Sequence, residues 1–173
     1  MEKLREQLVD HELCGLPAAL EAMGERWSFM ILRAAFNGVH HFEEFQSELS
    51  IARNILSNRL QRLVAHGILE RAAMLCDRRK ICYRLTEKGL DLLPTMVALR
   101  QWGEKWGSGV PSTPVLVDAR DHQPVRPVVL QAHDGRALSK QDLLWMDVDA
   151  VRPLAEAPPP QRAIGENIGV AAG

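Results

Sequence analysis

The sequence predicts a mainly helical α+β fold, and three observations support this prediction. Apolar residues recur at three- and four-residue spacing through much of the first hundred residues, which is typical of amphipathic helices. Two short segments with strand character, 68–74 and 81–86, follow directly after one of these helices. Beyond Gly107-Ser108-Gly109, proline becomes frequent and the helical spacing stops, so we expect a domain boundary there.

Three helices are predicted before residue 50. The first covers about 16–23 and begins near Pro17. The second, 27–36, is rich in Phe, Met, Ile and Leu but too short to cross a bilayer, so we expect it in the core. The third, 41–49, places Phe42, Phe45 and Leu49 on one side, and a connection of only a few residues joins it to the next helix.

The fourth predicted helix carries the most informative pattern. It follows Ser50, a residue type favoured at the helix N-cap, and ends before Gly67, which we expect at the C′ position. One side forms an apolar stripe for a core: Ile51, Leu56, Leu60, Leu63 and Val64. The opposite side is mainly amide, hydroxyl and guanidinium: Asn54, Ser57, Asn58, Gln61, Arg62 and Ala65. These groups complement the edges of DNA bases. The alternative is that they are polar only because this side of the helix faces solvent.

A basic hairpin is predicted directly after this helix. Its two strands are separated by residues 75–80, which end in the consecutive cations Arg78, Arg79 and Lys80. From Ile51 to Lys88 there are nine Lys or Arg and three acids, a local charge of +6 in a chain whose net charge is −1. A basic turn is often simply solvated, but beside an Asn- and Arg-bearing helix it suits contact with DNA phosphates.

Together these elements predict a winged helix-turn-helix, in which 41–49 is the first helix and the fourth is the recognition helix. We expect nine residues of the recognition helix and the hairpin turn to contact double-stranded DNA: Arg53, Asn54, Ser57, Asn58, Gln61, Arg62, Arg78, Arg79 and Lys80.

The sequence resembles the HxlR-type winged helix-turn-helix transcription regulators, which are related to MarR proteins. The resemblance covers roughly residues 10–107 and depends on an early Cys, a Gly-x-x-Trp motif and a closing Tyr-x-Leu-Thr-x-x-Gly motif: Cys14, Gly24 to Trp27, and Tyr83 to Gly89. The turn Asp77-Arg78-Arg79 is closer to the Asp-x-Arg wing of MarR proteins. The resemblance implies a cytoplasmic, bacterial homodimer that binds an inverted-repeat operator, with the N-terminal helix in the dimer interface.

Dimerisation is also predicted from the residues themselves. The segment 87–106 reads as one long helix with Thr86 as its N-cap. Its apolar residues cover more than one narrow stripe: Leu90, Leu92, Leu93, Met96, Val97, Leu99, Trp102 and Trp106. One stripe suffices for the chain's own core, and a two-fold dimer interface is the commonest use of the remainder.

The cysteines differ in their predicted roles. Cys14 precedes a helix, where the positive end of the helix dipole favours a reactive thiolate. In some members of the resembling family, a Cys at this position senses oxidants, so Cys14 is either a redox sensor or a structural thiol. Cys82 alternates with its strand neighbours and is expected to pack, whereas Cys76 lies near the hairpin turn.

A possible effector pocket would be lined by four apolar residues, Trp27, Met30, Met96 and Trp102. The alternative is that the same residues form part of the core. We expect three domains or segments: 1–107 for DNA binding and dimerisation, 110–152 as a small β-rich appendix with strands near 115–117, 125–130 and 143–148, and 153–173 as a disordered tail. The appendix offers two His and some Asp, which do not make a zinc site, so we expect a metal-free cap or ligand-contact module.

Other classes of protein fit the sequence poorly. It contains no Gly-rich phosphate loop, nucleophile elbow or His-Glu-x-x-His motif, so we expect no enzyme and no cofactor. Three cysteines at irregular spacing, a charged first decapeptide and no apolar run of membrane length predict a cytoplasmic protein that does not bind a membrane. The prediction is a homodimeric repressor released by a small effector or by thiol oxidation; the alternative is a winged-helix module for protein contacts.

Overall fold

The computed structural model of the chain describes residues 14–73, 81–109, 112–146 and 148–151. These residues divide into two compact units. The larger one comprises the described residues up to Val128, and the smaller one those from Val129 onward. Within the described ranges, no helix is both long enough and apolar enough to span a bilayer.

Four helices and a two-stranded antiparallel sheet open the larger unit. The helices are α1 (Gly15–Met23), α2 (Arg26–Phe36), α3 (Phe42–Leu49) and α4 (Arg53–Ala65). The strands are β1 (Leu69–Ala73) and β2 (Ile81–Leu85), paired so that Leu69 lies opposite Leu85. The order confirms the predicted winged helix-turn-helix, in which α3 and α4 are the paired helices and the β1–β2 hairpin is the wing.

The turn between α3 and α4 differs from the prediction at Ser50. Ser50 is not the N-cap of α4 but the C-cap of α3, with φ 48° and ψ 40° in the left-handed region, and Ala52 is the N-cap of α4. Ile51 lies in the turn and is only 3% exposed. Because the turn itself buries this apolar residue, α4 begins two residues later than its stripe indicates.

The core lies where the first four helices meet the root of the wing. Its fully buried large side chains come from α2, α3, α4 and the start of β1: Ile31, Leu32, Phe45, Leu56, Leu60, Leu63, Ile68 and Leu69. Each such side chain contributes about 1.5–3 kcal/mol by leaving water. The three leucines of α4 confirm its predicted apolar stripe, while Val64 is half-buried.

The wing is joined to α4 and to the next helix by side chains near Thr86. The Thr86 hydroxyl accepts a hydrogen bond from the Gly89 N–H (3.1 Å), so Thr86 is the N-cap that the sequence predicted. The same hydroxyl donates to the Gly67 carbonyl at 2.6 Å. The Lys88 ammonium donates to the His66 carbonyl at 2.8 Å, which satisfies an acceptor at the C-terminal end of α4.

The segment 87–108 is helical almost throughout, as predicted, but it is not one continuous helix. It consists of α5 (Glu87–Leu90), α6 (Leu93–Gly103) and a π-helical turn, Glu104–Ser108. Pro94 lies in the first turn of α6 and has no N–H to donate to the Leu90 carbonyl. The helical hydrogen-bond ladder is therefore interrupted between α5 and α6.

In the described part of the appendix, the three predicted strands do not form regular strands. Val117 pairs with Pro124 and Gln131 with Ala137, each as an isolated bridge. Two 3-10 turns, Lys140–Asp142 and Val148–Ala150, follow. Pro127 falls within the predicted strand 125–130 and cannot donate to a strand ladder.

The predicted domain boundary at 107–110 also differs from the observed division. The Gln101 side chain of α6 donates from Nε2 to the Arg126 carbonyl (3.1 Å) and accepts from the Val128 N–H at Oε1 (2.8 Å). The Arg100 guanidinium donates to the Pro114 carbonyl. Because these bonds attach the segment to α6, residues up to Val128 group with the helices. The predicted tail, 153–173, lies outside the described residues.

Gly89 is expected to be required for stability because nothing larger fits there. A Cβ at this position would lie 2.3 Å from the Ile68 carbonyl oxygen and 3.0 Å from Leu85 Cδ2. The substitution Gly89→Ala should lower the free energy of unfolding by about 1–3 kcal/mol or more, because backbone must move to relieve the overlap. Urea unfolding followed by circular dichroism measures this loss.

Gly103→Ala is the matched control for this prediction. Gly103 is helical, and a Cβ there would have no neighbour within 4 Å. Alanine at this position should leave stability unchanged or raise it by up to about 1 kcal/mol. Equal losses from both variants would refute the steric explanation for Gly89.

Candidate nucleic-acid interface

The outward side of α4 presents a row of polar side chains to solvent. Because Leu56, Leu60 and Leu63 occupy the buried side of the helix, the predicted reading residues lie on the opposite side. Four of these are exposed and Ser57 is half-buried; the exposed ones are Arg53, Asn54, Asn58 and Gln61. The structure thus brings five of the nine predicted DNA-contacting residues together on one surface.

Arg53 is positioned by the preceding helix. Its guanidinium carbon lies 4.8 Å from the centre of the Phe42 ring, a cation–π contact between the start of α4 and the start of α3. The contact leaves the guanidinium at the exposed end of the row. Its planar donors suit either a guanine edge or a phosphate.

Arg62 is placed differently from the other predicted contacts. Its Nη2 lies 2.5 Å from Glu21 Oε1 and also donates to the Glu21 carbonyl, and its Nε donates to the same carbonyl at 3.2 Å. The neighbouring Arg59 forms a similar pair, with Nη2 2.5 Å from Glu25 Oε1. Both arginines therefore join α4 to α1 and to the turn that follows it.

The wing carries further positive charge outside its turn. The predicted contacts Arg78, Arg79 and Lys80, together with Cys76, lie outside the described residues. On the strands, Arg71 and Arg84 are exposed. Arg84 lies opposite Glu70 in the register, whereas Arg71 lies opposite Tyr83.

His40 and His41, just before and at the N-cap of α3, attach the wing to the helix-turn-helix. His41 forms an isolated bridge with Cys82, and the Tyr83 N–H donates to the His40 carbonyl at 2.8 Å. The imidazole Nδ1 atoms lie 3.3 Å from the Tyr83 carbonyl oxygen for His40 and 3.2 Å from the Ile81 carbonyl oxygen for His41. His40 and His41 thus fix the wing against α3. No local sequence pattern predicts such a bridge.

Glu44 completes the start of α3. Its Oε2 accepts hydrogen bonds from the backbone N–H groups of His41 (3.0 Å) and His40 (3.2 Å). These backbone hydrogen bonds, His41 first, lower the pKa of the Glu44 carboxyl from its usual value of 4.5. The ionised form of Glu44 therefore holds the same two residues that bridge to the wing.

The cysteines lie in contrasting places. Cys14 is the N-cap of α1 and is half-buried, with its side chain making no cap hydrogen bond. It stands where the sequence predicted a thiol beside a helix start. Cys82 is buried on β2, and its Sγ lies 3.5 Å from the Ala72 carbonyl oxygen, which agrees with the predicted packing role.

The four residues of the predicted effector pocket differ in their burial. Trp27 and Met96 pack against the core, and Met30 is half-buried. Trp102 is 63% exposed on α6. Trp27 also borders an open cleft of about 400 Å³ beside Asn54 and Asn58. This cleft is continuous with the polar row of α4 and does not reach α6.

Within the described residues, an exposed apolar surface extends from the end of α5 over α6 to its π-helical continuation. Five of the eight apolar residues predicted to form more than one stripe are exposed: Leu90, Leu93, Leu99, Trp102 and Trp106. On α1, Leu16 and Leu20 are also exposed. Exposed apolar surface of this extent on a helix is typical of an interaction surface.

Metal ligation has no candidate cluster in the described ranges. No group of three or more His, Cys, Asp or Glu side chains in 14–73, 81–109, 112–146 or 148–151 is arranged to hold an ion.

Comparisons with known proteins agree with this geometry. The model of the HxlR-like helix-turn-helix family matches residues 22–110. An uncharacterized HTH-type transcriptional regulator of Mycobacterium bovis is 46% identical over 88 residues, which are 51% of this chain and 56% of the relative. The chain thus matches little more than half the length of this curated relative. A second such regulator, from Methanothermobacter thermautotrophicus, is 29% identical over 100 residues, 57% of this chain and 76% of the relative.

Two solved structures are similar over most of the chain. PA1607, described as a candidate transcription factor, is 37% identical with a TM-score of 0.73, covering 79% of this chain and 96% of PA1607. PA1374 from Pseudomonas aeruginosa, described in the same way, is 32% identical with a TM-score of 0.57, covering 80% of this chain and 95% of PA1374. Both similarities extend beyond residue 110, because 79% of this chain exceeds the helix-turn-helix and wing alone.

The lowered pKa of Glu44 predicts a pH-dependent contribution to stability. A carboxyl whose pKa is lower in the folded state stabilises the fold above its unfolded-state pKa, near 4.5, and loses this effect as the pH falls through the folded value. Glu44→Gln should therefore lower the melting temperature at pH 7, and its difference from the wild type should shrink below about pH 4.5. Thermal unfolding at several pH values measures the difference.

Glu43→Gln provides the control, because Glu43 lies in the same helical turn and its substitution removes the same charge. Its effect should be smaller than that of Glu44→Gln at pH 7. A Glu44→Gln difference that stays constant from pH 7 to about pH 3.5 would contradict the assigned hydrogen bonds.

Proposed function

This chain belongs to the HxlR-like helix-turn-helix family, and we propose that it is a sequence-specific, DNA-binding transcription regulator that acts as a homodimeric repressor. The observation that carries the proposal is the row of exposed polar side chains on α4, opposite its buried leucines. A helix of this kind fits the major groove, which is wide enough to admit it.

The side chains in the row suit base recognition. Asn54, Asn58 and Gln61 carry amides, which pair in bidentate fashion with the adenine edge. Arg53 suits guanine or a phosphate, and Ser57 adapts to either a donor or an acceptor. Arg78, Arg79 and Lys80 in the wing turn would contact phosphates and so add affinity without base preference.

The exposed apolar residues of α6 support the homodimer. The occupant that we propose is a second copy of this chain, with Leu16 and Leu20 of α1 sharing the interface. A two-fold axis pairs the same patch of both copies, so one apolar surface per chain suffices. The two α4 helices can then occupy successive major grooves, about 34 Å apart, and read an inverted repeat.

Release from DNA is proposed to follow oxidation of the Cys14 thiol or binding of a small effector. Cys14 is half-buried at the N-cap position of α1, and its side chain makes no cap hydrogen bond that would occupy the thiol. For an effector, a cleft of about 180 Å³ lies between α6 and residues 112–125. Typical ligand pockets measure about 300–1,000 Å³, so the cleft suits only a small molecule and the thiol is the favoured trigger.

Selection of bound sequences from a random pool of duplex DNA tests these proposals together. The reduced protein should enrich an inverted repeat whose half-sites are centred about one helical turn apart. Oxidised wild type should lose this enrichment, whereas Cys14→Ser should keep it under the same oxidant. An enriched site without two-fold symmetry would reject the homodimer, and unchanged selection by the oxidised wild type would reject the thiol trigger.

The two DNA-binding elements should respond differently to substitution. Asn58→Ala should lower the preference for the selected site over a scrambled duplex by about tenfold, because it removes a base contact. Arg79→Ala should weaken binding to both duplexes alike, because a phosphate contact carries no sequence information. Fluorescence anisotropy titrations with both duplexes measure the two effects, and the same loss pattern from both variants would refute the assigned roles.

Salt separates DNA binding from the alternative function, a winged-helix module for protein contacts. With about six phosphate contacts, affinity for DNA should fall by about three orders of magnitude between about 50 and about 200 mM salt. An apolar protein contact on the same surface would be nearly insensitive to this change. A flat salt dependence of any observed DNA binding would therefore favour the alternative.

A further inference from the structure

The carboxylates of Glu21 and Glu25 hold the recognition helix α4 along one edge. Arg59 and Arg62 are three residues apart on α4, which places them about 60° apart around the helix axis. They lie between the buried leucine side and the exposed polar row. Their partners come from the C-terminal end of α1 and the turn before α2. We call the two ion pairs Arg59–Glu25 and Arg62–Glu21 the edge clamp.

The edge clamp consists of short contacts made by largely covered arginine side chains. Each pair has one Nη2 to Oε1 distance of 2.5 Å, and Arg62 binds the backbone carbonyl of Glu21 as well as its carboxylate. The arginine side chains are largely covered, at 20% exposed for Arg59 and 32% for Arg62. A planar guanidinium with several fixed donors restricts rotation more than a single point charge does.

The charges show that the edge clamp does not serve DNA affinity. α4 contains three arginines, and two of them are neutralised by acids of the same chain, which leaves Arg53. Acids beside a DNA-binding surface repel phosphates, and the same two arginines would otherwise be available to attract them. Ion pairs with such exposed carboxylates also contribute little to stability. Their remaining effect is geometric.

Resting on the proposed DNA-binding function, we infer that Glu21 and Glu25 are positioning residues that set base specificity by fixing the rotation of α4 about its own axis. The buried leucines fix which side of α4 faces the core, but a stripe of three aliphatic side chains tolerates small rotations. A bidentate base contact requires hydrogen-bond geometry, and small rotations move Asn54 and Asn58 out of it. The edge clamp removes this freedom.

The inference predicts an unusual result for the double variant Glu21→Gln/Glu25→Gln. Losing two acids should strengthen binding to a scrambled duplex and steepen its salt dependence, because two arginines become available to phosphates. Preference for the selected site over the scrambled duplex should nevertheless fall by about tenfold, because the base contacts lose their alignment. Thermal unfolding should change little. Titrations of both duplexes at several salt concentrations measure the affinity, its salt dependence and the preference, and circular dichroism measures the thermal unfolding.

Two further variants isolate positioning from charge. Glu43→Gln/Glu48→Gln removes two acids from α3, where neither residue forms an ion pair within the described part of the chain. It should strengthen binding to both duplexes and keep the preference. Arg59→Lys keeps the charge opposite Glu25 but loses the planar guanidinium, so it should retain only part of the preference, whereas Arg59→Ala should lose it.

The outcomes distinguish the inference from the proposed function. Equal loss of preference in the α3 and edge-clamp variants, or no loss in either, would overturn the positioning role while leaving DNA recognition intact. Failure of the wild type to select any sequence from the random pool would instead overturn sequence-specific binding itself, and the positioning role with it.

Discussion

The burial of the α4 leucines is the constraint on which the rest of the structure depends. Leu56, Leu60 and Leu63 are fully buried against α2 and α3. At about 1.5–3 kcal/mol each, their burial outweighs any single polar contact on the helix. A recognition helix has only one apolar side, so fixing that side in the core also fixes the polar row in solvent. The candidate interface follows from the core.

The wing depends on the same constraint through short connections. Gly67 ends α4, and β1 begins two residues later with Leu69 buried beside the leucines. On the return strand, His41 bridges to Cys82, so the hairpin is attached to α3 as well. Gly89 then lets α5 approach the Ile68 carbonyl closely. The base of the wing is thus attached to α4, to α3 and to α5.

Sequence periodicity was sufficient to predict the elements that bury a regular stripe. The helices 16–23, 27–36 and 41–49 agree with α1, α2 and α3 to within a residue or two. Prediction was less accurate where a single residue decides a boundary. Ser50 suits a helix N-cap, but the burial of Ile51 in the turn makes it a C-cap instead. Pro94 interrupts a segment whose apolar residues alone suggest one helix.

Contacts between distant residues were not predictable in this way. Arg62 has the sequence position of a DNA contact, and only the fold reveals that Glu21, 41 residues earlier, is its partner. The bridge from His41 to Cys82 is equally invisible to local patterns. In the first case a polar side chain meets another element, and in the second case the backbone does. Helical projection identifies which residues leave the core, but not which of them remain in solvent.

The C-terminal end of α4 and one of its edges are connected to the surfaces proposed for dimerisation. At its C-terminal end, the Lys88 ammonium binds the His66 carbonyl, and α5 continues within three residues into the apolar surface of α6. Along its edge, Arg62 binds Glu21, one residue after the exposed Leu20 of α1. Only a few hydrogen-bonded residues separate either surface from the recognition helix, so a rearrangement of the surface would reach the helix through them. Because Cys14 lies at the N-cap position of α1, the proposed change at this thiol would act on the edge of α4 rather than on its leucine side, and would change the orientation of the helix without unfolding it.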